Sequence, residues 1–341
     1  MTRVATTTMQ DVARHAGVSV MTVSNVVNDH PHVRAATRQK VLDAIAELGY
    51  HVNTTARNLR QGRTGVIGLA VPEIDRPYYG LLASLLIERA AARGYELVIE
   101  QTSAERDREL TSVTRSRLRS YDGLILSAVR LHDHDATLLR GEFPLVVLGE
   151  RSFSEPLDQV VMDNERGGRL ATAHLIAQGS RRIGVIGGRL GLAQEIDVST
   201  TRTRGYVAAL ADAGIALDED LVRFTELSYE GGREAAARLL TDVEGLDGLF
   251  CVTDVAAVGA MRAVRDAGRT VPGDVRVVGF DDVALASHLT PSLTSIAPDH
   301  AAMADATIDL LLGRIDGSRG QGDYRTFVGP VELIARESSA S

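Results

Sequence analysis

The chain has 341 residues, 44% hydrophobic and 24% charged, which is ordinary for a soluble globular protein and long enough for two or three domains. Its single cysteine, Cys251, excludes a disulfide framework or a cysteine-based zinc site. The formal net charge of −8 is unevenly divided: residues 1–63 hold eight basic and four acidic side chains, and the remainder 29 and 41. A head of charge +4 on a body of charge −12 is typical of a protein that contacts nucleic acid at one end.

Two short helices joined by a tight turn are predicted at the start of the chain, in TMQDVARHAGVSVMTVSNVVN. Thr8 and Asp11 have the spacing of a capping box, and Ser19 can cap the second helix. Gly17 can take the positive φ that ends the first helix. Val23 is expected in a small core. The alternative is a helical hairpin inside a larger core.

In a helix-turn-helix, the second helix enters the major groove and its N-terminal residues contact base edges. A third helix is predicted from about 35 to 48, with a weak N-cap at Arg34 and Gly49 just past its end. Tyr50 is expected either to pack on this bundle or to lie along the DNA backbone. The residues expected at the DNA surface are Thr8, Ser19, Val20, Met21, Thr22, Ser24, Asn25, Asn28, His32, Thr37 and Tyr50.

The run DVARHAGVSVMTVSNVVN resembles the DNA-binding headpiece of the LacI family, the lactose- and galactose-repressor type of bacterial transcription regulator. The resemblance continues in order through VRAATRQKVLDAIAELGY, NTTARNLRQGRTGVIGLAVP, VMDNERGG, RTRGY, TDVAAVGAMRA, VPGDVRVVGFDD and LTPSLTSI, and so covers nearly the whole chain. It implies a headpiece at 1–52, a hinge helix or linker at 53–63, and an effector-binding and dimerisation domain at 64–341.

The hinge, from 53 to 63, begins with a good N-cap at Asn53, but a helix this short is marginal on its own. The resemblance implies that it orders on operator DNA and that Leu59, with Ala56 one turn earlier, inserts into the minor groove. The alternative is an ordinary linker with one exposed leucine.

From residue 64 the pattern alternates between strands and helices, which predicts parallel sheets with helices on both faces. The predicted strands are VIGLAV, ELVIE, DGLILS and PLVVLG, then RIGVIG, LVRFT, GLFCV and VRVVGF, and the predicted helices span 79–93, 105–118, 165–178, 203–213, 231–240 and 255–267. The resemblance implies a two-lobed, periplasmic-binding-protein-like domain. We expect an N-lobe of about 64–162 and 292–323, and a C-lobe of about 163–291 and 324–341.

Ligands of open α/β sheets bind beyond the carboxyl ends of the strands. The resemblance implies that Arg202 and Asp281 hydrogen-bond an effector and that Tyr78 and Tyr79 give it a stacking face. Capping or packing is the alternative role, and Asp254 and Asp282 are the better N-cap candidates. The expected effector-binding residues are Asp75, Arg76, Tyr78, Tyr79, Asp163, Arg202, Thr253 and Asp281.

Three positions depart from the family pattern, because Arg76 and Thr253 stand where many members have Asn, and Leu227 where many have an aromatic residue. The resemblance implies a sugar or related metabolite as effector, but these departures leave that assignment open, and an anionic ligand for Arg76 and Arg202 is the alternative. Residues 132–135 (HDHD) are interpreted as a solvated loop rather than a metal site, and the glycines from Gly184 to Gly191 do not form a dinucleotide motif. No cofactor is expected.

The sequence therefore predicts a DNA-binding transcription regulator, most simply a repressor controlled by a small effector, and not an enzyme. A homodimer is expected, because two-fold operators need paired headpieces, and the end ARESSAS has no heptads for a coiled coil. The N-terminus MTRVATTTMQ lacks an apolar signal core, so a cytoplasmic, nucleoid-associated location is expected. A solute-binding protein and a doubly wound enzyme are the alternatives, but neither accounts for residues 8–61.

Overall fold

The computed structural model describes residues 7–27, 30, 32–50, 63–116, 118, 121–139, 141, 143–151, 153, 156–191, 196–320 and 322–340. The chain divides into two compact units, residues 1–64 and 65–341. Asn28, Ala56, Leu59 and nearly all of the expected hinge lie outside the described residues, so the predictions made for them stay predictions. Within the described part, no helix is long and apolar enough to cross a membrane.

The described part of the first unit forms three helices: α1 (Met9–Ala16), α2 (Val20–Val27) and α3 (Ala35–Leu48). The predicted capping box at the start of α1 is confirmed: the Thr8 hydroxyl accepts from the Asp11 N–H at 3.3 Å, and the Asp11 carboxylate accepts from the Thr8 N–H at 3.0 Å. Gly17 ends α1 with φ of +67°. Arg34 makes no capping side-chain hydrogen bond to α3, as its residue type predicts.

The headpiece core is formed where the three helices meet, with Val12, Val23 and Val41 fully buried. Tyr50 belongs to this core and is only 8% exposed. Of the two roles predicted for Tyr50, packing on the bundle is therefore the one observed. Its expected place at the DNA surface stays a prediction.

The second unit contains two six-stranded sheets in its described residues. The first has the order β11-β5-β4-β3-β1-β2 and is parallel throughout. Its strands are β1 (Val66–Val71), β2 (Glu96–Gln101), β3 (Gly123–Ser127), β4 (Leu145–Leu148), β5 (Asp158–Met162) and β11 (Thr326–Gly329).

The second sheet has the order β12-β10-β9-β8-β6-β7 and is parallel except for the antiparallel pairing of β10 with β12. Its strands are β6 (Ile183–Ile186), β7 (Val222–Arg223), β8 (Gly248–Cys251), β9 (Arg276–Phe280), β10 (Thr294–Pro298) and β12 (Val331–Ile334). The predicted parallel α/β class with two lobes is thus confirmed.

Helices cover the sheets because their connections are parallel crossovers. They are α4 (Pro77–Ala92), α5 (Arg106–Arg115), α6 (Ala136–Leu139), α7 (Asn164–Ala177), α8 (Val198–Asp212), α9 (Tyr229–Asp242), α10 (Asp254–Asp266) and α11 (His300–Ile315). Helix α8 begins five residues before the predicted start at 203. The reason is that Asp197 and Thr200 form a capping box that starts the helix at Val198. The β-branched residues in this stretch did not indicate a helix in the sequence.

Two of the expected lobe boundaries were wrong. Strand β10, expected in the N-lobe, pairs with β9 in the second sheet, so the chain returns to the first lobe only with α11. Strand β11, expected in the C-lobe, pairs with β5 in the first sheet, and the final crossing comes between Gly329 and Val331. An apolar run specifies a buried strand but not which of two similar sheets accepts it, since that depends on distant partners.

Candidate functional site

The N-terminal end of α2 presents apolar side chains to the surface of the headpiece. Val20 is 42% exposed and Met21 70% exposed. The Ser19 hydroxyl accepts from the Thr22 N–H at 3.1 Å, which caps the helix as predicted. Thr22, Ser24 and Asn25 are half-buried beside them, Thr37 is half-buried on α3, and Thr8 and His32 are exposed. Exposed apolar groups on a helix end of this kind suit a contact surface rather than a solvated face.

A cavity of about 110 Å³ lies between the two sheets of the second unit. Both lobes contribute to its wall, and its polar residues cluster around one buried arginine. The residues that line it are Arg76, Tyr78, Tyr79, Ser127, Leu148, Gly149, Glu150, Val160, Val161, Met162 and Met303 from the first lobe, and Asn164, Val198, Arg202, Leu227, Thr253, Val255, Asp281 and Val283 from the second.

Arg202 is only 2% exposed, and its guanidinium is surrounded by acceptors. Nε donates to Asn164 Oδ1 at 2.6 Å, Nη1 donates to the carbonyl of Val252, and Nη2 lies 3.3 Å from Asp281 Oδ1. The guanidinium also lies over the ring of Phe280, 3.4 Å from its centroid. Burial lowers the pKa of Arg202, and the Asp281 carboxylate opposes that shift.

The position of Arg202 follows from a close crossing of α7 and α8. A Cβ on Gly168 would meet the Arg202 carbonyl oxygen at 2.1 Å, and a Cβ on Gly205 would meet the Glu165 carbonyl oxygen at 2.0 Å. Only glycine at both positions lets the two backbones touch. The glycines of the NERGG and RTRGY motifs therefore bring the Arg202 side chain against Asn164.

Asp281 sits at the end of β9 with φ of +104°, a strained conformation for a residue with a side chain. It is 6% exposed, and its carbonyl lies 2.8 Å from His300 Nε2. Burial raises the pKa of the Asp281 carboxyl group, and Arg202 opposes the shift. The strain and the buried ion pair both occur on the wall of the cavity.

The first lobe contributes aromatic rings and a further carboxyl group. Tyr78 and Tyr79 begin α4, with ring centroids 5.0 Å apart in an edge arrangement. Burial raises the pKa of both phenols, so both remain hydrogen-bond donors. Burial also raises the pKa of Glu150, which accepts from the Met162 N–H at 3.0 Å. The Asn164 amide lies close enough to oppose that shift, yet its Nδ2 has no partner at hydrogen-bond geometry in the described residues.

Six of the expected effector residues line the cavity, namely Arg76, Tyr78, Tyr79, Arg202, Thr253 and Asp281. The other two, Asp75 and Asp163, do not line it, and their effector role stays a prediction. Asp75 is exposed in the loop after β1. Asp163 caps α7 by accepting from the Arg166 N–H at 3.3 Å, and the following residue, Asn164, faces the cavity instead.

The expected N-caps near β8 and β9 also differ from those observed. Thr253 caps α10, accepting from the Ala256 N–H at 3.2 Å. Asp254 is 1% exposed and instead accepts from the Ser295 hydroxyl at 2.6 Å and the Val283 N–H at 2.9 Å. Asp282 pairs with Arg336 at 2.6 Å. In the neighbouring pairs Thr253–Asp254 and Asp281–Asp282, tertiary contacts decide which side chain caps a helix. The sequence does not reveal those contacts.

Sequence analysis missed three polar residues of the cavity: Ser127, Glu150 and Asn164. The rule used for the other strands would have found two of them, because Ser127 ends β3 and Glu150 follows β4 after one glycine.

The segment 132–135 also differs from the solvated loop expected: Asp135 is fully buried and binds Arg106, with Nε 3.0 Å from Oδ2.

Both units of the chain resemble known proteins. The model for bacterial regulatory proteins of the lacI family matches residues 8–53, and that for the periplasmic binding protein-like domain matches residues 172–339. The HTH-type transcriptional regulator DegA of Bacillus subtilis is 34% identical, over 98% of this chain and 98% of its own length.

The chain belongs to the lacI family.

Two further relatives cover both units of this lacI-family chain. The ribose operon repressor of Haemophilus influenzae is 32% identical over 97% of the chain and 98% of its own. The crystal structure of the lac repressor dimer bound to operator and the anti-inducer ONPF is 29% identical, with a TM-score of 0.81, over 98% of this chain and 100% of that one. The protein is a DNA-binding transcription regulator whose family model spans α1, α2 and α3.

Proposed function

We propose that this lacI-family regulator is a repressor that releases its operator when a neutral, polyhydroxylated molecule of the sugar class binds between its lobes. The observation that carries the proposal is the buried Arg202–Asp281 pair on the wall of a cavity to which both lobes contribute. We propose that the regulator acts by binding alone, without cofactor or catalysis, and that it resides on the nucleoid where its operator is.

The charges around the cavity favour a neutral ligand over the anionic alternative. The Arg202 guanidinium is offset by Asp281, and that of Arg76 by an ion pair with Glu73. The remaining polar groups, Ser127, Glu150 and Asn164, offer donors and acceptors of the kind that bind hydroxyl groups. A relative that is a ribose operon repressor agrees with a sugar.

A ligand that contacts both lobes favours one lobe arrangement, and only such a differential contact can shift an equilibrium. Tyr78 and Tyr79 would contact it from the first lobe, and Arg202, Thr253 and Asp281 from the second. Residues 63–64 lead directly into β1 of the first lobe, so a movement of this lobe would reach the hinge at 53–63. We propose that effector binding releases the operator rather than strengthening operator binding.

We propose that two copies bind a pseudo-palindromic operator, with Val20, Met21 and Asn25 of each α2 facing the bases. The lac repressor structure was determined as a dimer on operator, which supports pairing. The exposed apolar side chains of Ile74, Ile87 and Val98 on the first lobe suit a subunit contact. Leu59 and Ala56 of the hinge would enter the minor groove at the operator centre.

A gel-shift experiment tests the proposal as a whole. Operator fragments are first selected from random DNA with the purified protein and then bound in the presence of a panel of neutral sugars. We expect a two-fold symmetric motif and release by at least one sugar. A protein that selects no motif would refute the DNA-binding part, and release by no neutral sugar but by anionic metabolites would refute the ligand class.

A further inference from the structure

Within the described residues, the chain crosses between the two lobes three times, and each crossing is a single residue long. Asp163 separates β5 from α7, Asp299 separates β10 from α11, and Pro330 separates β11 from β12. The Asp163 N–H donates to the carbonyl of Gly329 at 3.1 Å, and the Asp299 N–H donates to that of Pro330 at 3.0 Å. The crossings therefore form one hydrogen-bonded cluster, and the ends of elements are where two lobes turn against each other.

His300 is the first residue of α11 and directly follows one of these crossings. Asp299 caps the helix by accepting from the Ala302 N–H at 2.9 Å, which fixes the helix start on which His300 stands. Nε2 of His300 lies 2.8 Å from the carbonyl oxygen of Asp281. Because a carbonyl oxygen can only accept, Nε2 carries the proton and donates it. The other ring nitrogen, Nδ1, is buried without a hydrogen-bond partner among the described residues, so the bond from Nε2 is what fixes the ring.

The bond from His300 is one of several that hold the turn after β9 in a strained backbone conformation. Asp281 and Asp282 have φ of +104° and +44°, values that residues with side chains rarely adopt. The Asp281 N–H donates to the carbonyl of Ile296 at 2.9 Å, and the Asp282 N–H donates to the Ser295 hydroxyl at 3.1 Å. Both of these partners lie on β10, in the same lobe as the turn. His300 differs from them, because it belongs to a helix that packs on the first lobe.

His300 also lies beside a tyrosine of the cavity wall. The ring centroids of His300 and Tyr78 are 5.8 Å apart, with the ring planes inclined by 50°. Tyr78 lines the cavity from the first lobe and Asp281 lines it from the second, whereas His300 is not one of the described residues that line it. One side chain outside the cavity therefore adjoins a wall residue of each lobe.

We propose that His300 is a positioning residue whose hydrogen bond ties the crossing between the lobes to the strained turn that carries Asp281. When the lobes change their arrangement, the bond makes Asp281 follow, so the effector contact on the second lobe depends on the position of the first. This rests on the proposed function, because it takes Asp281 to contact the effector. It adds the side chain that couples the cavity wall to the crossing.

Hydrogen exchange of the full-length protein, measured by mass spectrometry without DNA or sugar, tests the role of His300. Because neither ligand is present, the result does not depend on whether the protein is a sugar-released repressor. His300→Phe keeps a ring of similar size and removes the donor, whereas His300→Gln removes the ring and keeps an N–H donor at a similar reach. The matched control is His288→Phe, at an exposed histidine whose Nδ1 lies 2.8 Å from the hydroxyl of the neighbouring Ser287. The amides compared are those of 281–283, on the turn, and of Asp299, at the crossing.

Exchange at the turn and at the crossing should be about three- to tenfold faster in His300→Phe than in the wild type, the factor expected for the loss of one hydrogen bond. His300→Gln and the control should exchange as the wild type does, because the bond is retained. Exchange that is equally fast in His300→Gln would assign the effect to packing and overturn the proposal. Unchanged exchange in His300→Phe, or acceleration confined to the turn, would also overturn it.

If His300→Phe does not fold, the exchange of the His300 Nε2–H proton in the wild type decides, measured by nitrogen-edited NMR. Slow exchange of this proton with water would support the bond to Asp281. Exchange as fast as that of the exposed His288 ring would overturn the proposal.

Discussion

The headpiece and the cavity break the ordinary rule of burial in opposite directions. Met21 of α2 is apolar and 70% exposed, whereas Arg202 of α8 is charged and 2% exposed. Exposed apolar side chains cost little when the partner is a methyl-bearing groove of DNA, and buried charges are kept only where acceptors surround them. In both regions, the residue type that is unusual for its degree of burial lies where we propose that a partner binds.

Removal of the buried charge should have the largest effect. Arg202→Ala leaves the Asp281 carboxyl group without its partner and should lower the free energy of unfolding of the second unit by about 3–5 kcal/mol. Urea denaturation followed by circular dichroism measures this. Arg238→Ala, which removes an exposed arginine, should change stability by less than about 1 kcal/mol. A loss for Arg202→Ala as small as that of the control would show that the pair does not stabilise the cavity.

The exposed side of the comparison is tested by DNA selection. Asn25 stands on α2, the helix that we propose faces the bases. In the major groove, asparagine pairs with adenine and arginine with guanine. Asn25→Arg should shift the selected motif toward guanine at one position of each half-site, a discrimination of roughly 1–3 kcal/mol. Selection from random DNA, followed by sequencing, reads this directly. An unchanged motif would remove Asn25 from the reading face.

Asp254 is a second buried carboxyl group in the second unit, and it tests the cost of burying charge. Burial, with a smaller contribution from Asp281, raises the pKa of Asp254 well above its usual value. The folded state therefore favours the protonated form, so stability is full below the unfolded pKa and is lost as pH rises toward the folded pKa, by up to about 1.4 kcal/mol per pH unit. Asp254→Asn should flatten the fall of the unfolding free energy as pH rises above the unfolded pKa of about 4. Parallel curves for wild type and variant would contradict this.

The smallest effect on stability should come from the exposed methionine. Met21→Ser should change the free energy of unfolding by no more than about 0.5 kcal/mol, because the side chain is mostly in water. Specific operator affinity should nevertheless fall, while affinity for random DNA, which phosphate contacts dominate, stays the same. Fluorescence anisotropy with both DNAs makes the distinction. An equal loss on both would assign Met21 to general folding rather than to base contact.

How far the sequence predicted these features depends on the range of the interactions involved. The capping box of Thr8 and Asp11 and the turn at Gly17 were predictable because their partners lie within a few residues. The sheet to which Thr294–Pro298 belongs was not, since its partners are β9 and β12 and its apolar pattern suits either sheet.

The cavity residues were also predictable only as far as local information reached. Tyr78, Thr253 and Asp281 were indicated because ligands bind beyond the carboxyl ends of parallel strands, and this needs only the strand positions. It did not separate Asp163 from Asn164, since a helix start exposes one side chain to the cavity and uses its neighbour as a cap. Which of two such neighbours faces the cavity depends on how the helix packs.

The central claim, that a ligand on the Arg202–Asp281 pair releases the operator, is tested most directly with Asp281→Asn. Asparagine tolerates the positive φ at this position and keeps the size of the side chain, so the fold should be retained. The control is Asp266→Asn, in an exposed pair with Arg262 on α10. The sugar that releases the wild type is titrated against preformed operator complexes in a gel shift. We predict that Asp281→Asn binds operator normally but needs at least about tenfold more sugar for release, whereas the control behaves as the wild type. Release of Asp281→Asn at the wild-type sugar concentration would contradict the account.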